Sequence, residues 1–424
     1  MRHAGLALVC ALAMLVATGL SAAAPPQAPP ERLFSAGDVW EPVAAADPSG
    51  PYVYLLGRDL GYRDCPGCPS ETLMLLVSAD GGATFAPARP LCTQGCAQSS
   101  RAQFDPVIDV ANDGTAFAMW MDGNSPGAVV SRSTDHGQTW STPVVVQQSM
   151  NGWTDKPWLA ISPSGQDVYV AYYGQTRAWI AASHDGALSF APAVQVTNDN
   201  RFWFPEGGTV TPDGTAYITM SSEDTSGAGA VDLAVFRSTN GGASWTAQIV
   251  ATSEEAPPCT APGCITDFFQ AQLTIASDAN GKLVAAYTRT SMAHAPKTLY
   301  TITSTSGTSW SAPTVVSTAG DANFQQIAAG PGAGDFRVAW QDDRNGAMAF
   351  NTWHKRLAAN GKWGSEVRLS NVGTGAPYKT TAGYTFPYGD YMGLDVDGQG
   401  VSHAIWGEGT GRKTGGGSWF TRTS

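Results

Sequence analysis

Short apolar segments alternate with polar, glycine-containing turns along almost the whole chain, which is the pattern of strands joined by tight turns. Residues 107–110, Asp113-Gly114 and residues 115–120 read as one strand, turn and strand. The unit recurs: two such segments, a loop, a third segment, then Ser-x-Asp-x-Gly-x-Thr-Trp, then a fourth. Its clearest copy is Ser133, Asp135, Gly137, Thr139 and Trp140, and a second is Ser78, Asp80, Gly82, Thr84 and Phe85. Ser238, Asn240, Gly242, Ser244 and Trp245 follow closely, while Ser183, Asp185, Ser189 and Phe190 carry Ala187 in place of the glycine. Fainter copies end at Trp310 and Trp363.

The motif has a physical reading. A carboxylate at its third position accepts backbone N–H bonds and holds the turn, and the glycine supplies unusual backbone angles. The closing ring buries a large apolar face between neighbouring sheets. These residues build the fold and are given no catalytic role.

Segments upstream of the motifs also align. They read Trp40-Glu41-Pro42, Phe104-Asp105-Pro106, Asp155-Lys156-Pro157, Phe204-Pro205-Glu206, Phe269-Gln270, Phe324-Gln325 and Tyr388-Gly389-Asp390. Seven starts predict an all-β fold, a single β-propeller of four-stranded blades over residues 31–424, with six blades as the runner-up. The seventh unit ends at 419–421 without room for a fourth strand. Arg32-Leu33-Phe34 is expected to supply it, because a bare sheet edge must be covered. The N-terminal strand would then close the ring.

Residues 1–24 have the layout of a secretory signal peptide: Arg2 and His3, an apolar run, then small residues. A Pro-rich linker follows at 25–30. The expectation is a secreted or periplasmic protein. Removing Arg2 from 24 basic residues leaves 23 against 35 acidic, a net charge of −12, which disfavours nucleic acid and anionic membranes as partners. Six cysteines remain: Cys65, Cys68, Cys92, Cys96, Cys259 and Cys264. Export favours disulfides, with a four-thiolate zinc site at the first four as the rival. No cofactor is expected; a structural calcium site among the acidic loops has no motif behind it.

In an up-and-down blade, the blade starts and the loops after second strands share the face opposite the turn motifs. That face collects Glu41, Asp105, Asp155, Lys156, Glu206 and Asp390, then Arg58, Asp59, Asp64, Arg289, Asp342 and Arg344, with Trp203, Phe204 and Tyr391 among its rings. Carboxylates, arginines and rings around one funnel suit a sugar site. His294 is the one histidine of this face worth testing as a base; His136 and His184 sit in the turns, His354 and His403 in strands.

The repeated motif resembles that of the sialidase superfamily, whose Asp-box propellers are similar to most of this chain. That resemblance implies a secreted glycan-active hydrolase acting on an acidic sugar. Tyr391 in Tyr391-Met392-Gly393-Leu394 would be the nucleophile, Glu206 its activator, and Asp64 or Asp59 the acid/base group. Arg58, Arg289 and Arg344 would hold the sugar's acidic group, with Trp203, Asp105 and Asp155 also in the binding surface. The chain departs from the family where Val39-Trp40-Glu41-Pro42 replaces Phe/Tyr-Arg-Ile-Pro, and where Ser221-Ser222-Glu223-Asp224 replaces an expected arginine. Two alternatives stand beside the hydrolase. One is a lyase on a uronic-acid polymer, using a tyrosine or His294 as base with an arginine or metal ion neutralising the carboxylate. The other is a propeller that binds carbohydrate or protein without turnover.

Overall fold

The computed structural model describes residues 31–33, 39–60, 71–91, 102–123, 127–146, 154–226, 229–255, 270–346, 349–370, 375–376, 378–380, 383–384, 388–409 and 417–424. The leader, the linker and all six remaining cysteines lie outside these residues, as does Asp64.

Seven four-stranded antiparallel sheets succeed one another around a ring. Blade 1 runs Val39–Ala46, Val53–Leu60, Glu71–Ser78 and Arg89–Pro90. Five further blades repeat that order, with inner strands at Gln103–Val110, Thr154–Ile161, Arg201–Val210, Leu273–Ser277 and Asn323–Ala329. Blade 7 has Gly393–Val396, Ser402–Glu408 and Gly417–Thr423, and takes its outer strand from Glu31–Leu33. The register is Glu31 opposite Phe420, Arg32 opposite Trp419 and Leu33 opposite Ser418. The closing strand thus starts one residue earlier than the sequence suggests. Pairing the two chain ends removes the last open edge of the ring.

Each blade interface has its own apolar core. Between blades 1 and 2 it comprises Tyr54, Leu56, Leu73, Leu75, Ile108, Ala118 and Trp120, and Trp140 packs against it. Trp245 covers the core between blades 3 and 4, Trp310 that between blades 4 and 5, and Trp363 that between blades 5 and 6. Phe85 seals blade 1 against blade 7 across Phe420. The motif's closing ring therefore belongs to the joint with the preceding blade. Burying one such face contributes about 2 kcal/mol.

The turns show how the polar half of the motif works. The Ser78 hydroxyl donates to Asp80 Oδ1 at 2.8 Å and accepts from the Gly82 amide at 2.9 Å. Asp80 also accepts the Thr84 amide at 2.8 Å and the Thr84 hydroxyl at 2.7 Å. The same bonds recur at Asp135 and Asp185; at Asn240 the side-chain oxygen accepts the Ser244 amide, but its NH2 donates to the Ser244 hydroxyl. Gly82, Gly137 and Gly242 have φ of 74°, 77° and 80°. Ala187 adopts 62° at the matching position and keeps the turn despite its Cβ.

Candidate active site

The site is made where the inner strands begin. Register shifts occur between Trp40 and Val43, Phe104 and Val107, Asp155 and Trp158, Pro205 and Gly207, and Asn323 and Gln326. Four of these bulges contain a proline, whose missing N–H suits a break in the ladder. The residue before the proline takes positive φ in three of them: 55° at Glu41, 51° at Asp105 and 49° at Lys156. Such angles cost a non-glycine residue roughly 1 kcal/mol or more and persist only where neighbours enforce them. A bulge re-aims a side chain. Here it gathers acids and a lysine at one end of the central channel.

Gly389 fixes the approach of blade 7. Its φ is 81°, and a Cβ there would lie 2.5 Å from Glu41 Cγ and 3.0 Å from Glu41 N. Only a glycine lets Asp390 and Tyr391 come this close to blade 1, where the Glu41 amide donates to Tyr388 O at 2.9 Å.

Lys156 is the hub. Its ammonium donates to Asp390 Oδ2, and its amide donates to Asp155 Oδ1 at 2.9 Å. Asp105 stands beside Asp155 in the same wall, and its charge is the largest cause, after burial, that raises the Asp155 pKa. The Asp105 amide donates to Glu41 Oε2 at 3.1 Å. Burial works against the Lys156 charge, yet Asp390, Asp105, Asp155 and Glu41 outweigh it and hold its pKa well above the usual lysine value. Burial drives Glu41 and Asp155 well above the ordinary carboxyl range, and Asp105 pushes both further.

Asp105, Asp155, Lys156 and Asp390 line a cavity of 250 Å³ together with Trp158, Phe204, Glu206, Gln270, Gln272, Gln325 and Tyr391, while Glu41 supports the group from behind this wall. The Tyr391 ring lies 5.8 Å from the Lys156 ammonium and meets Trp158 edge-on at 6.5 Å. Burial, then Glu41, Asp105 and Asp390, push its phenol well above the usual range, so it stays protonated. Burial raises Glu206 to about 8, against bonds from the Ser221 hydroxyl at 2.6 Å and the Leu273 amide at 2.7 Å.

The sequence reading pairs Tyr391 with Glu206. Both stand in the cavity wall, but they do not hydrogen-bond each other: the Tyr391 hydroxyl donates to Pro106 O at 3.4 Å, and both Glu206 oxygens are taken by blades 4 and 5. Asp105 and Asp155 are brought together in the wall. Arg58 stacks between Trp40 and Phe104 at 5.7 and 5.6 Å and pairs with Glu71 at 2.8 Å. Asp59, beside it, is buried, and its carboxyl is pushed up by that burial.

Four expected binding residues, Arg58, Arg289, Arg344 and Trp203, do not line the cavity, and neither does Asp59. Arg344 is held by Asp342 and Glu366 over the Trp353 ring at 3.8 Å. Arg289 lies 6.0 Å from the Tyr300 ring within blade 5. Trp203 turns into the joint of blades 3 and 4, where its indole donates to Asp199 at 2.8 Å and packs on Phe236. His294 is half-exposed and 3.8 Å from Glu255, away from the cavity wall. His354 is buried against Ser402, and burial pushes it down to about 3.

The alignment of blade starts places Glu41, Lys156 and Asp390 on the polar face, and it also holds Gln270 and Gln325, to which the sequence gives no site role. Position in that alignment was the signal. Among the described residues no group of three or more His, Cys, Asp or Glu is arranged to hold a metal, and no helix is long and apolar enough to cross a membrane.

No family model matches the chain, and no curated protein does. Among solved structures, a Hadza microbial sialidase, Hz136, superposes with a TM-score of 0.50 at 13% identity, covering 85% of this chain and 74% of its own. A polysaccharide lyase of family PL25, an ulvan lyase, gives 0.51 at 12% identity over 72% of this chain and 76% of its own. The likeness is one of fold. The chemistry must be argued from the site.

Proposed function

We propose that this protein is an exported glycan-active hydrolase whose reaction takes place in the cavity at the blade-start end of the channel. The observation that carries this reading is the Asp105–Asp155 carboxyl pair set beside the Lys156–Asp390 ion pair, in a cavity walled by Trp158, Phe204 and Tyr391. Glycosidic hydrolysis needs a carboxylic acid that keeps its proton near neutral pH and a second carboxylate that stays charged. Asp155 suits the first role, since burial and Asp105 raise its pKa. Asp390 suits the second, because burial raises its pKa but the Lys156 ammonium opposes this. The rings offer flat apolar faces to a sugar.

A sialidase-type route, with Tyr391 as nucleophile and Glu206 as its activator, requires both side chains to leave their present partners. The acidic-sugar form of the reading requires a sugar carboxylate to settle against Lys156, the one cation among the described wall residues, which Asp390 already engages. A neutral or cationic sugar fits this wall better.

The test is a panel of neutral, amino and acidic oligosaccharides incubated with the purified protein. New reducing ends, lost on Asp155→Asn, are expected. Unsaturated ends in their place would make the protein a lyase, and binding without products would make it a lectin-like propeller. Tyr391→Phe separates the two hydrolytic routes: retained turnover is expected, and a loss of about 10²-fold or more would restore the tyrosine nucleophile.

A further inference from the structure

We infer that the cavity is built for an amino sugar, with the sugar's free ammonium against Asp105 and Asp390 and its hydroxyls against Gln270 and Gln325. This deepens the hydrolase reading and rests on it. Two kinds of observation meet here.

The first is charge. Four carboxyls, Glu41, Asp105, Asp155 and Asp390, surround a single lysine. Asp105 and Asp390 are only 5% and 6% exposed, yet Asp105 Oδ2 and Asp390 Oδ1 have no hydrogen-bond partner among the described residues. The arginines that would turn the site toward anions are committed elsewhere, Arg58 to Glu71 and Arg344 to Asp342 and Glu366.

The second observation does not depend on the acids. Gln270 is 6% exposed, lines the cavity, and has neither its amide oxygen nor its amide nitrogen bonded. Gln325, 1% exposed, leaves its oxygen unbonded while its nitrogen reaches Ala286 O at 3.5 Å. Leaving a buried polar group unbonded costs about 1–3 kcal/mol, so a wall that does so repeatedly is a wall waiting for a ligand. A glutamine offering both donor and acceptor matches a sugar hydroxyl, which is itself both. A metal ion would have no use for the amide N–H groups. Free carboxylate oxygens call for a donor with positive charge, and an ammonium on the sugar ring supplies it.

Binding such a ligand has a proton signature. An ammonium favours the ionised form of Asp390, whose carboxyl burial pushes up, so a proton leaves the protein as it binds; an anionic sugar would draw protons in.

Calorimetric titration at about pH 6, in two buffers of different ionisation heat, tests this with three tetrasaccharides: β-1,4-glucosamine, its N-acetylated form and galacturonate. The glucosamine oligomer is expected to bind at least about tenfold more tightly than the acetylated one, the size of one charge-assisted hydrogen bond, and to release protons. Galacturonate is expected to bind most weakly. Asp105→Asn should shrink the amine preference to about twofold, and Gln270→Leu should weaken both hexosamine oligomers alike. Equal or tighter binding of the acetylated or acidic oligomer, or proton uptake with glucosamine, overturns the inference. If Asp105→Asn does not fold, the preference and proton count of the unaltered protein still decide. Binding or cleavage of some oligosaccharide without an amine preference would sink this inference and leave the hydrolase reading standing; no binding and no cleavage of any sugar would end both.

Discussion

The two ends of the propeller use the same side chain in opposite ways. At the turn end, Asp135 is half-buried, and the Ser133 hydroxyl, the Thr139 amide and the Thr139 hydroxyl satisfy it at 2.8, 2.9 and 2.6 Å. Its pKa is held down to about 2, first by the Thr139 hydroxyl; the same happens at Asp80 through Thr84 and at Asp185 through Ser189. At the blade-start end, Glu41 and Asp390 are buried and Asp155 half-buried, they crowd one another, and their pKa values are pushed up first by desolvation. A carboxylate whose lone pairs are filled is a structural part. One left short of donors in a cavity is a group held ready for a ligand or a proton.

The largest expected effect comes from breaking this contrast on the reactive side. Asp155→Asn keeps the shape and removes the carboxyl proton that burial and Asp105 hold on Asp155. Turnover on any cleaved glycan should fall by about 10² to 10⁴-fold, measured as initial rate at saturating substrate, while the melting temperature changes little. A variant within a factor of about two of the unaltered rate would show that the pair is structural after all.

The two ends also make opposite contributions to stability as pH changes, which gives the second prediction. Burial lifts Glu206 to about 8, and Asp109 and Glu408 to about 7. These groups hold their protons more tightly folded than unfolded. Their contribution is complete below the unfolded carboxyl value of about 4 and is lost as pH rises through about 7 to 8. The turn carboxyls have the reverse sign: what they contribute is present above about pH 4 and fades as pH falls through about 2. His354, lowered to about 3, adds a loss on acidification below about pH 6.5. Thermal unfolding should therefore show a melting temperature that declines between about pH 6.5 and about pH 8. Glu206→Gln and Asp109→Asn should each flatten that decline, and Asp80→Asn should not. A melting temperature that climbs over this interval would contradict the assignment of buried, protonated carboxyls.

How far the sequence reached follows from the same division. The repeats announce seven sheets because strands and turns are local patterns, and the blade-start alignment carries Glu41, Asp105, Lys156 and Asp390 to one place because ring closure preserves register. Trp203 leaves the expected binding surface for a reason that strand parity supplies: side chains alternate, so with Phe204 in the cavity wall its neighbour faces the blade joint. Arg344 could not be judged from its neighbourhood in sequence, since its partner Glu366 is 22 residues away on the next strand connection. Glu206 likewise looks free in the sequence, and only the packing of blade 5 brings the Leu273 amide to it.

The smallest effect sharpens the comparison from the structural side. Asp135→Ala removes acceptors for the Thr139 amide and two hydroxyls, Ser133 and Thr139. Because the turn is at the surface, water replaces much of what is lost, and the cost should be about 1 kcal/mol, read as a modest fall in the denaturant midpoint at unchanged slope. Nothing in the cavity touches this turn, so turnover and sugar affinity should stay at the unaltered values. Were Asp135→Ala to lower turnover as Asp155→Asn does, the turn end would be coupled to the chemistry, and the separation of a building face from a reacting face would fail. Stability lost with catalysis kept is the outcome that a wheel of semi-independent blades requires, since each joint is sealed by its own aromatic ring and its own apolar core.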